Sequence, residues 1–162
     1  MTISIGEKLP AGTLMKIGAE GPEPVDVSAL TKGRKVVIFG LPGAFTGTCS
    51  TAHLPSFMRT ADDFKAKGVD EIICLSVNDP FVMDAWDKAH AASDAGVTML
   101  TDPVGDLTVA MGLEFNAPAI GFVNRSRRYS ALFEDGALKL LNEEDAPGTC
   151  EISAGETLLA QL

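Results

Sequence analysis

The sequence predicts an α/β domain built on a mainly central sheet, and three observations carry that reading. Short apolar runs alternate with segments of helical spacing along most of the chain, the pattern of strands connected by helices. The run Val36-Val37-Ile38-Phe39 is almost unbroken in its hydrophobicity, as a strand covered on both faces is. A length of 162 residues at 46% hydrophobic content supplies one well-buried core and is short for two. A single domain over 1–162 is therefore expected.

Lys35 to Leu41 reads as the first buried strand. Ser50 to Lys67 then spaces Leu54, Phe57, Met58, Ala61 and Phe64 as one helical face, and Gly68 closes it. Glu71 to Val77 is the second buried strand. Asn78-Asp79-Pro80 opens a helix that runs through Met83, Trp86 and Ala89 up to Gly96. Val97 to Thr101 is short and apolar, and Asp102-Pro103 opens a brief helix to Met111. Ile120 to Val123, Tyr129 to Glu134 and Ala137 to Leu141 read as strands, the last two joined by a tight turn at Glu134-Asp135-Gly136. Ser153 to Leu162, with Glu156 three residues after Ser153, starts as a capping box and continues as a short helix.

Composition excludes several function classes. The N-terminus shows no basic segment followed by an apolar one, and no apolar run approaches bilayer length, so a soluble, cytoplasmic protein with no membrane partner is expected. The formal charge of -9 repels nucleic acid and anionic lipid, and basic residues cluster only at Arg125, Arg127 and Arg128. Three cysteines at irregular spacing do not make a secreted disulfide framework. Asn124-Arg125-Ser126 matches a glycosylation sequon but has no signal peptide beside it. His53 and His90 with the scattered cysteines have no metal-ligand spacing, so no metal is expected.

The chemistry centres on Cys49, the one cysteine at a strand-to-helix junction. Unpaired N–H groups and the helix dipole favour a thiolate there. An ordinary cysteine has a pKa near ~8.5, so complete ionisation at neutral pH raises a rate by at most ~30-fold. A drop of ~2.5 units takes ~3.4 kcal/mol, whereas a helix terminus supplies about 0.3 to 1, occasionally ~2. A cation must help, and Arg128 at the start of a strand is the candidate because guanidinium stays charged. Thr46, three residues before Cys49, carries a hydroxyl that can donate to the sulfur or accept from a substrate O–H. Pro42 fixes the backbone leaving the strand and can shield the thiolate from water.

Pro42, Thr46 and Cys49 match the P-x-x-x-T/S-x-x-C signature of peroxiredoxins. The longer segment Pro42 to Ser50, with Ser76-Val77-Asn78-Asp79-Pro80-Phe81-Val82-Met83 and Arg128-Tyr129-Ser130, resembles the type II, peroxiredoxin-five-like subfamily over nearly the whole chain. That resemblance implies a thioredoxin-like fold with a central mixed sheet flanked by helices. It implies reduction of hydrogen peroxide and alkyl hydroperoxides by Cys49 as peroxidatic cysteine, through a sulfenic acid. Thr46 and Arg128 would orient the peroxide and stabilise the stretched O–O bond. No metal, flavin or nucleotide cofactor is implied.

Three routes for resolving the sulfenic acid stay open. By analogy with plant-type members, Cys74 would condense with Cys49, but it sits roughly 10 Å down its strand at ~3.3 Å per residue, and a disulfide needs Cα atoms within ~7 Å. The helix start would have to unwind, which Pro55 eases. Animal members use a cysteine near the C-terminus, and Cys150 lies nearby, although Pro147-Gly148-Thr149-Cys150-Glu151 does not align cleanly with theirs. Glutathione, cleared by glutaredoxin, needs neither cysteine and is the favoured reductant, with thioredoxin the other candidate. Gly47 stands where many relatives have proline, which points to a more mobile loop.

The plainer readings stand beside these. Cys74, within Ile72-Ile73-Cys74-Leu75, reads as a core residue, Cys150 as either packing or an occasional redox partner, and His53 as a structural or hydrogen-bonding residue rather than a base. Thr46 alone is also a helix N-cap candidate, and Arg125 and Arg127 read as solvated charge. Trp86, Phe81 and Met83 read as core, while the resemblance places the start of that helix near a homodimer interface, with Phe45 joining it. Among rival functions, a dithiol oxidoreductase lacks its second residue, because Ala52 stands three after Cys49. A hydrolase fits the compact thiol pocket poorly, and the closest rival is a non-enzymatic redox sensor passing oxidation from Cys49 to a protein partner.

Overall fold

The computed structural model describes all 162 residues. In chain order they form β1 (Thr13–Gly18), β2 (Gly21–Asp26), α1 (Val27–Thr31) and β3 (Lys35–Gly40), then a π-helical turn (Cys49–His53) leading into α2 (Leu54–Ala66). There follow β4 (Glu71–Ser76), α3 (Pro80–His90), β5 (Val97–Thr101), α4 (Asp106–Ala110), β6 (Glu114–Ala117) and β7 (Phe122–Ser126). β8 (Tyr129–Glu134), β9 (Ala137–Glu143) and α5 (Gly155–Leu159) complete the chain.

Alternation along the central strands sets the layering. In β3, Val37 and Phe39 enter the apolar cluster on one face and Val36 and Ile38 the cluster on the other. β4 repeats this, with Ile72 and Cys74 on the first face and Ile73 and Leu75 on the second. The first face is covered by Leu54, Phe57 and Phe64 of α2, Met83 and Trp86 of α3 and Leu158 of α5. Val27 of α1 and Leu107 of α4 cover the second. Strands with helices on both sides are the arrangement that continuous apolar runs require.

The sheet has seven strands in the order β2-β1-β5-β4-β3-β8-β9. β3, β4 and β5 are parallel, whereas β8 joins β3 antiparallel and β9 follows β8. This is the mixed, helix-flanked sheet of the thioredoxin-like fold. The β8–β9 turn falls where expected, with Asp135 and Gly136 both at positive φ, 47° and 75°, as a two-residue hairpin turn demands.

Several boundaries differ from the sequence reading. The β1–β2 hairpin is absent from the expected elements because Pro22 and Pro24 mask its second strand. Proline is tolerated there because β2 is the sheet edge. The expected strand Ile120–Val123 lies instead at Phe122–Ser126, paired with β6 outside the main sheet, after a 3-10 turn at Pro118–Ile120. α3 stops at His90 rather than Gly96, with Ala91 left-handed at φ 54°. The helix expected from Asp102 begins at Asp106, because Gly105 is left-handed at φ 80° while the Asp102 carboxylate accepts from Thr108 N at 2.8 Å. The capping box at Ser153 does not form: its hydroxyl donates to Glu144 and Glu156 pairs with Arg59. A carboxylate from β9's end thus outcompetes the helix start for that hydroxyl.

Candidate active site

β3 ends at Gly40, where a Cβ would stand 2.1 Å from the Tyr129 ring of β8, so that any larger residue would have to displace the ring. The chain leaves the sheet through Leu41 and Pro42, turns at Phe45 with φ 62°, and enters helical geometry just before Cys49. Asn78 accepts from Ala44 N at 2.9 Å, and Arg125 donates to the Pro42 carbonyl at 3.3 Å. Arg125 is therefore half-buried and ties down the loop, rather than being a free solvated charge. Arg127 pairs with Glu143 on the surface.

Cys49 is fully buried and begins the π-turn, whose wider ring is closed by Leu54 N donating to Cys49 O. Trp86 anchors the same turn from below, its indole N–H donating to Ser50 Oγ at 3.1 Å. π-turns inside helices concentrate at functional sites.

Arg128, the residue before β8 and 2% exposed, brings the cation expected from sequence. Its Nη2 donates to Cys49 Sγ at 3.3 Å and to Pro147 O at 2.9 Å, Nε donates to Pro147 O at 3.3 Å, and Nη1 meets His53 Nδ1 at 3.1 Å. No carboxylate forms an ion pair with it. Among its partners only the sulfur can take a negative charge, so the guanidinium faces Cys49 uncompensated.

The His53 tautomer follows from its partners. A guanidinium only donates, so Nδ1 accepts, and Nε2–H donates to the Ser153 carbonyl at 3.1 Å. Burial, then the neighbouring Arg128 charge, pushes the His53 pKa from 6.5 down to about 3. The ring is neutral at physiological pH and its one lone pair is occupied. His53 positions Arg128 and cannot serve as a base, in agreement with the hydrogen-bonding role expected of it.

Thr46 Oγ1 donates to Gly43 O at 2.8 Å, which leaves its lone pairs free to accept from a substrate O–H. The alternative of donation to the sulfur is thereby excluded in this geometry, and Thr46 does not cap the helix through its side chain because no backbone N–H donates to its Oγ1. Thr46, Pro42, Arg128, Ile120, Phe122 and Pro147 line a cavity of about 240 Å³. That is several times the ~30 Å³ share of a liquid water, and its apolar lip suits an organic substituent. Cys49 itself is not part of that lining and sits beneath it, behind Arg128 and Thr48; cavities of about 440 and 600 Å³ lie elsewhere.

Neither of the other thiols has a guanidinium nitrogen on its sulfur. Cys74 is fully buried opposite Phe39, and burial followed by the proximity of Cys49 pushes its pKa well up. Cys150 is half-buried on the loop between β9 and α5, and burial again raises its pKa. All three cysteines are free thiols. Met83 and Trp86 are core as expected, but Phe81 is not: at the first turn of α3 it is 65% exposed, and Phe45 is 56% exposed. Sequence reasoning missed the carbonyls of Pro147 and Ser153 and the carboxylate of Glu144, because backbone groups and a lone acid on a loop leave no periodic signal.

Residues 4–159 match the Redoxin family. The chloroplastic Peroxiredoxin-2E-2 of Oryza sativa subsp. japonica is 47% identical over 163 residues, covering 98% of this chain and 72% of its own. Peroxiredoxin-2C of the same organism is 42% identical over 161 residues, covering 99% and 98%. The crystal structure of reduced Prx3 from Vibrio vulnificus in complex with H2O2 is 44% identical with a TM-score of 0.92, covering 99% of each chain. With these identities sustained from end to end, and with the fold shared as well, the chain belongs to the Redoxin family as a type II peroxiredoxin, a thiol peroxidase.

Proposed function

We propose that Cys49 is the peroxidatic residue and that it reduces hydrogen peroxide and alkyl hydroperoxides. The observation that carries this is the Arg128 guanidinium at 3.3 Å from the Cys49 sulfur, beside a cavity lined by Thr46 and Pro42. The thiolate attacks the terminal peroxide oxygen, an S–O bond forms and the O–O bond breaks. Cys49 is oxidised to the sulfenic acid, and the leaving alkoxide or hydroxide takes a proton from solvent to become alcohol or water. Thr46 accepts from the peroxide O–H while Arg128 donates to the oxygens on which charge develops.

Glutathione then attacks the sulfenic sulfur, expelling water and leaving a mixed disulfide, which glutaredoxin reduces. This route is preferred because neither internal thiol is poised. Cys74 is a buried, protonated thiol, and reaching it needs the π-turn to open; Cys150 is held in a hydrogen-bonded loop with its pKa raised. No metal or organic cofactor takes part in the cycle proposed. Exposed Phe45 and Phe81 support a homodimer contact at the start of α3. Three unpaired thiols suit a reducing, cytoplasmic location for the 162-residue unit, and no helix is long and apolar enough to cross a membrane.

The test is stopped-flow oxidation by hydrogen peroxide, with turnover followed separately with glutathione plus glutaredoxin and with thioredoxin. Cys49→Ser is expected to abolish peroxide consumption, whereas Cys74→Ser keeps most glutaredoxin-supported turnover. Full activity in Cys49→Ser would sink the assignment, and rapid oxidation without turnover would mark a sensor.

A further inference from the structure

The loop between β9 and α5 carries the carbonyls that hold the active-site arginine, yet it has almost nothing of its own to fix it. Residues 145–149 and 151–152 are exposed, and Ser153 is the first fully buried residue after them. Its internal backbone hydrogen bonds are few, Thr149 N to Ala146 O at 3.2 Å and Ala154 N to Glu151 O at 3.4 Å. A segment with no apolar anchor is ordered only by its polar ties.

Those ties converge on Glu144. Its Oε1 accepts from Glu151 N at 2.6 Å, Ser153 N at 2.9 Å and Ser153 Oγ at 2.8 Å, while its Oε2 lies 3.2 Å from Thr149 Oγ1, whose one proton it shares with the nearer Ala146 carbonyl at 2.9 Å. Glu144 N in turn donates to Arg128 O at 2.9 Å, so the carboxylate is registered directly on the arginine's own backbone. The loop it gathers then presents Pro147 O to Arg128, Ser153 O to His53 and Gly148 O to Thr48, the last at 3.0 Å. One carboxylate thus sets both ends of the loop, and the carbonyls between them hold the arginine and histidine fixed beside Cys49.

We infer that Glu144 is a positioning residue for the peroxidase reaction, acting through loop 145–153 to hold Arg128 on Cys49. The inference rests on the assignment of Cys49 and Arg128 proposed above. Glu144 touches neither the sulfur nor the substrate cavity wall at Thr46, and of the loop's four hydrogen bonds to the site two end on Arg128 and one on the His53 that holds it, against one on Thr48, so its effect passes chiefly through Arg128. That makes the prediction specific: the effect largely disappears once Arg128 is gone.

The experiment is a double-mutant cycle on the second-order rate of oxidation by hydrogen peroxide, using the full chain and scoring only the folded fraction. Glu144→Ala is expected to slow oxidation about tenfold, against about a hundredfold for Arg128→Gln, the scale of losing one transition-state donor. In the Arg128→Gln background the same change is expected to matter less than about twofold, because coupled residues are not additive. An equal factor in both backgrounds, the result of a merely structural role, overturns the inference, as does an unchanged rate in Glu144→Ala. If Glu144→Ala does not fold, Glu144→Gln keeps a neutral acceptor and is expected to slow oxidation about threefold with the same dependence on Arg128. Failure of the underlying assignment is recognised separately, since Arg128→Gln alone would then oxidise at the native rate and the inference would fall with it.

Discussion

Replacing Arg128 with lysine keeps the positive charge and removes the planar fork, so it separates the two things the guanidinium supplies. In the native site four hydrogen bonds leave three nitrogens of one plane, toward Cys49 Sγ, Pro147 O twice, and His53 Nδ1. An ammonium offers three hydrogens from a single nitrogen and cannot stand at three corners of that plane. If it stays by the sulfur, the peroxide loses the second N–H that would meet its oxygens as the O–O bond stretches. A hydrogen bond to a charged group contributes about 1.5–3 kcal/mol, which at ~1.36 kcal/mol per tenfold slows oxidation by about 13- to 160-fold. Arg128→Gln, which also removes the Coulomb attraction, falls toward the slow end, at about a hundredfold. Stopped-flow fluorescence reads this directly, because Trp86 is the only tryptophan and its indole binds Ser50, next to Cys49. A lysine variant with native melting behaviour that oxidises within about threefold of wild type, a difference of ~0.65 kcal/mol, would refute the argument for the fork.

Thr46→Val removes the hydroxyl acceptor while keeping the shape, and is expected to slow oxidation by about tenfold, the worth of one hydrogen bond in the transition state, whereas Thr46→Ser stays near wild type; equal rates in both would dismiss the acceptor role. His53 has its folded pKa lowered to about 3 from 6.5, so the unfolded chain binds the proton first as pH falls. Its contribution to stability is complete above pH ~6.5 and is lost on acidification toward pH ~3, about 2 kcal/mol between pH 7 and pH 5. Denaturant titrations at those two pH values should show that loss in the native chain and not in His53→Gln, and parallel curves for the two would contradict the assignment. Gly40→Ala puts a methyl carbon 2.1 Å from the Tyr129 ring and should lower stability by about 1–3 kcal/mol, the range for overpacking, measured by urea unfolding; an unchanged midpoint would show that the ring moves freely.

The readings that succeeded from sequence are those with a local signal. The β3 run, the helical face of Leu54, Phe57 and Phe64, and the Asp135-Gly136 turn each follow from spacing or from one residue's allowed dihedrals. The location of Cys49 and Thr46, as distinct from their proposed roles, belongs here too, because a strand-to-helix junction places them by chain continuity alone. The Thr13–Asp26 hairpin failed for the opposite reason: Pro22 and Pro24 read as breakers until the sheet order shows that β2 has a free edge.

What the sequence by itself determined, then, is the α/β order and the thiol at a helix start, with a proline and a hydroxyl before it in the chain and a candidate cation. Only the tertiary structure decided what surrounds that thiol. Arg128 reaches Cys49 across 79 positions, His53 accepts from Arg128 across 75, and the Ser153 carbonyl fixes the His53 tautomer across 100. Glu144 gathers a loop whose backbone carbonyls are identical in kind to those of every other residue. Hydrogen bonds of this range depend on where β8, β9 and the C-terminal loop are packed against α2, and no local pattern of side chains encodes that placement.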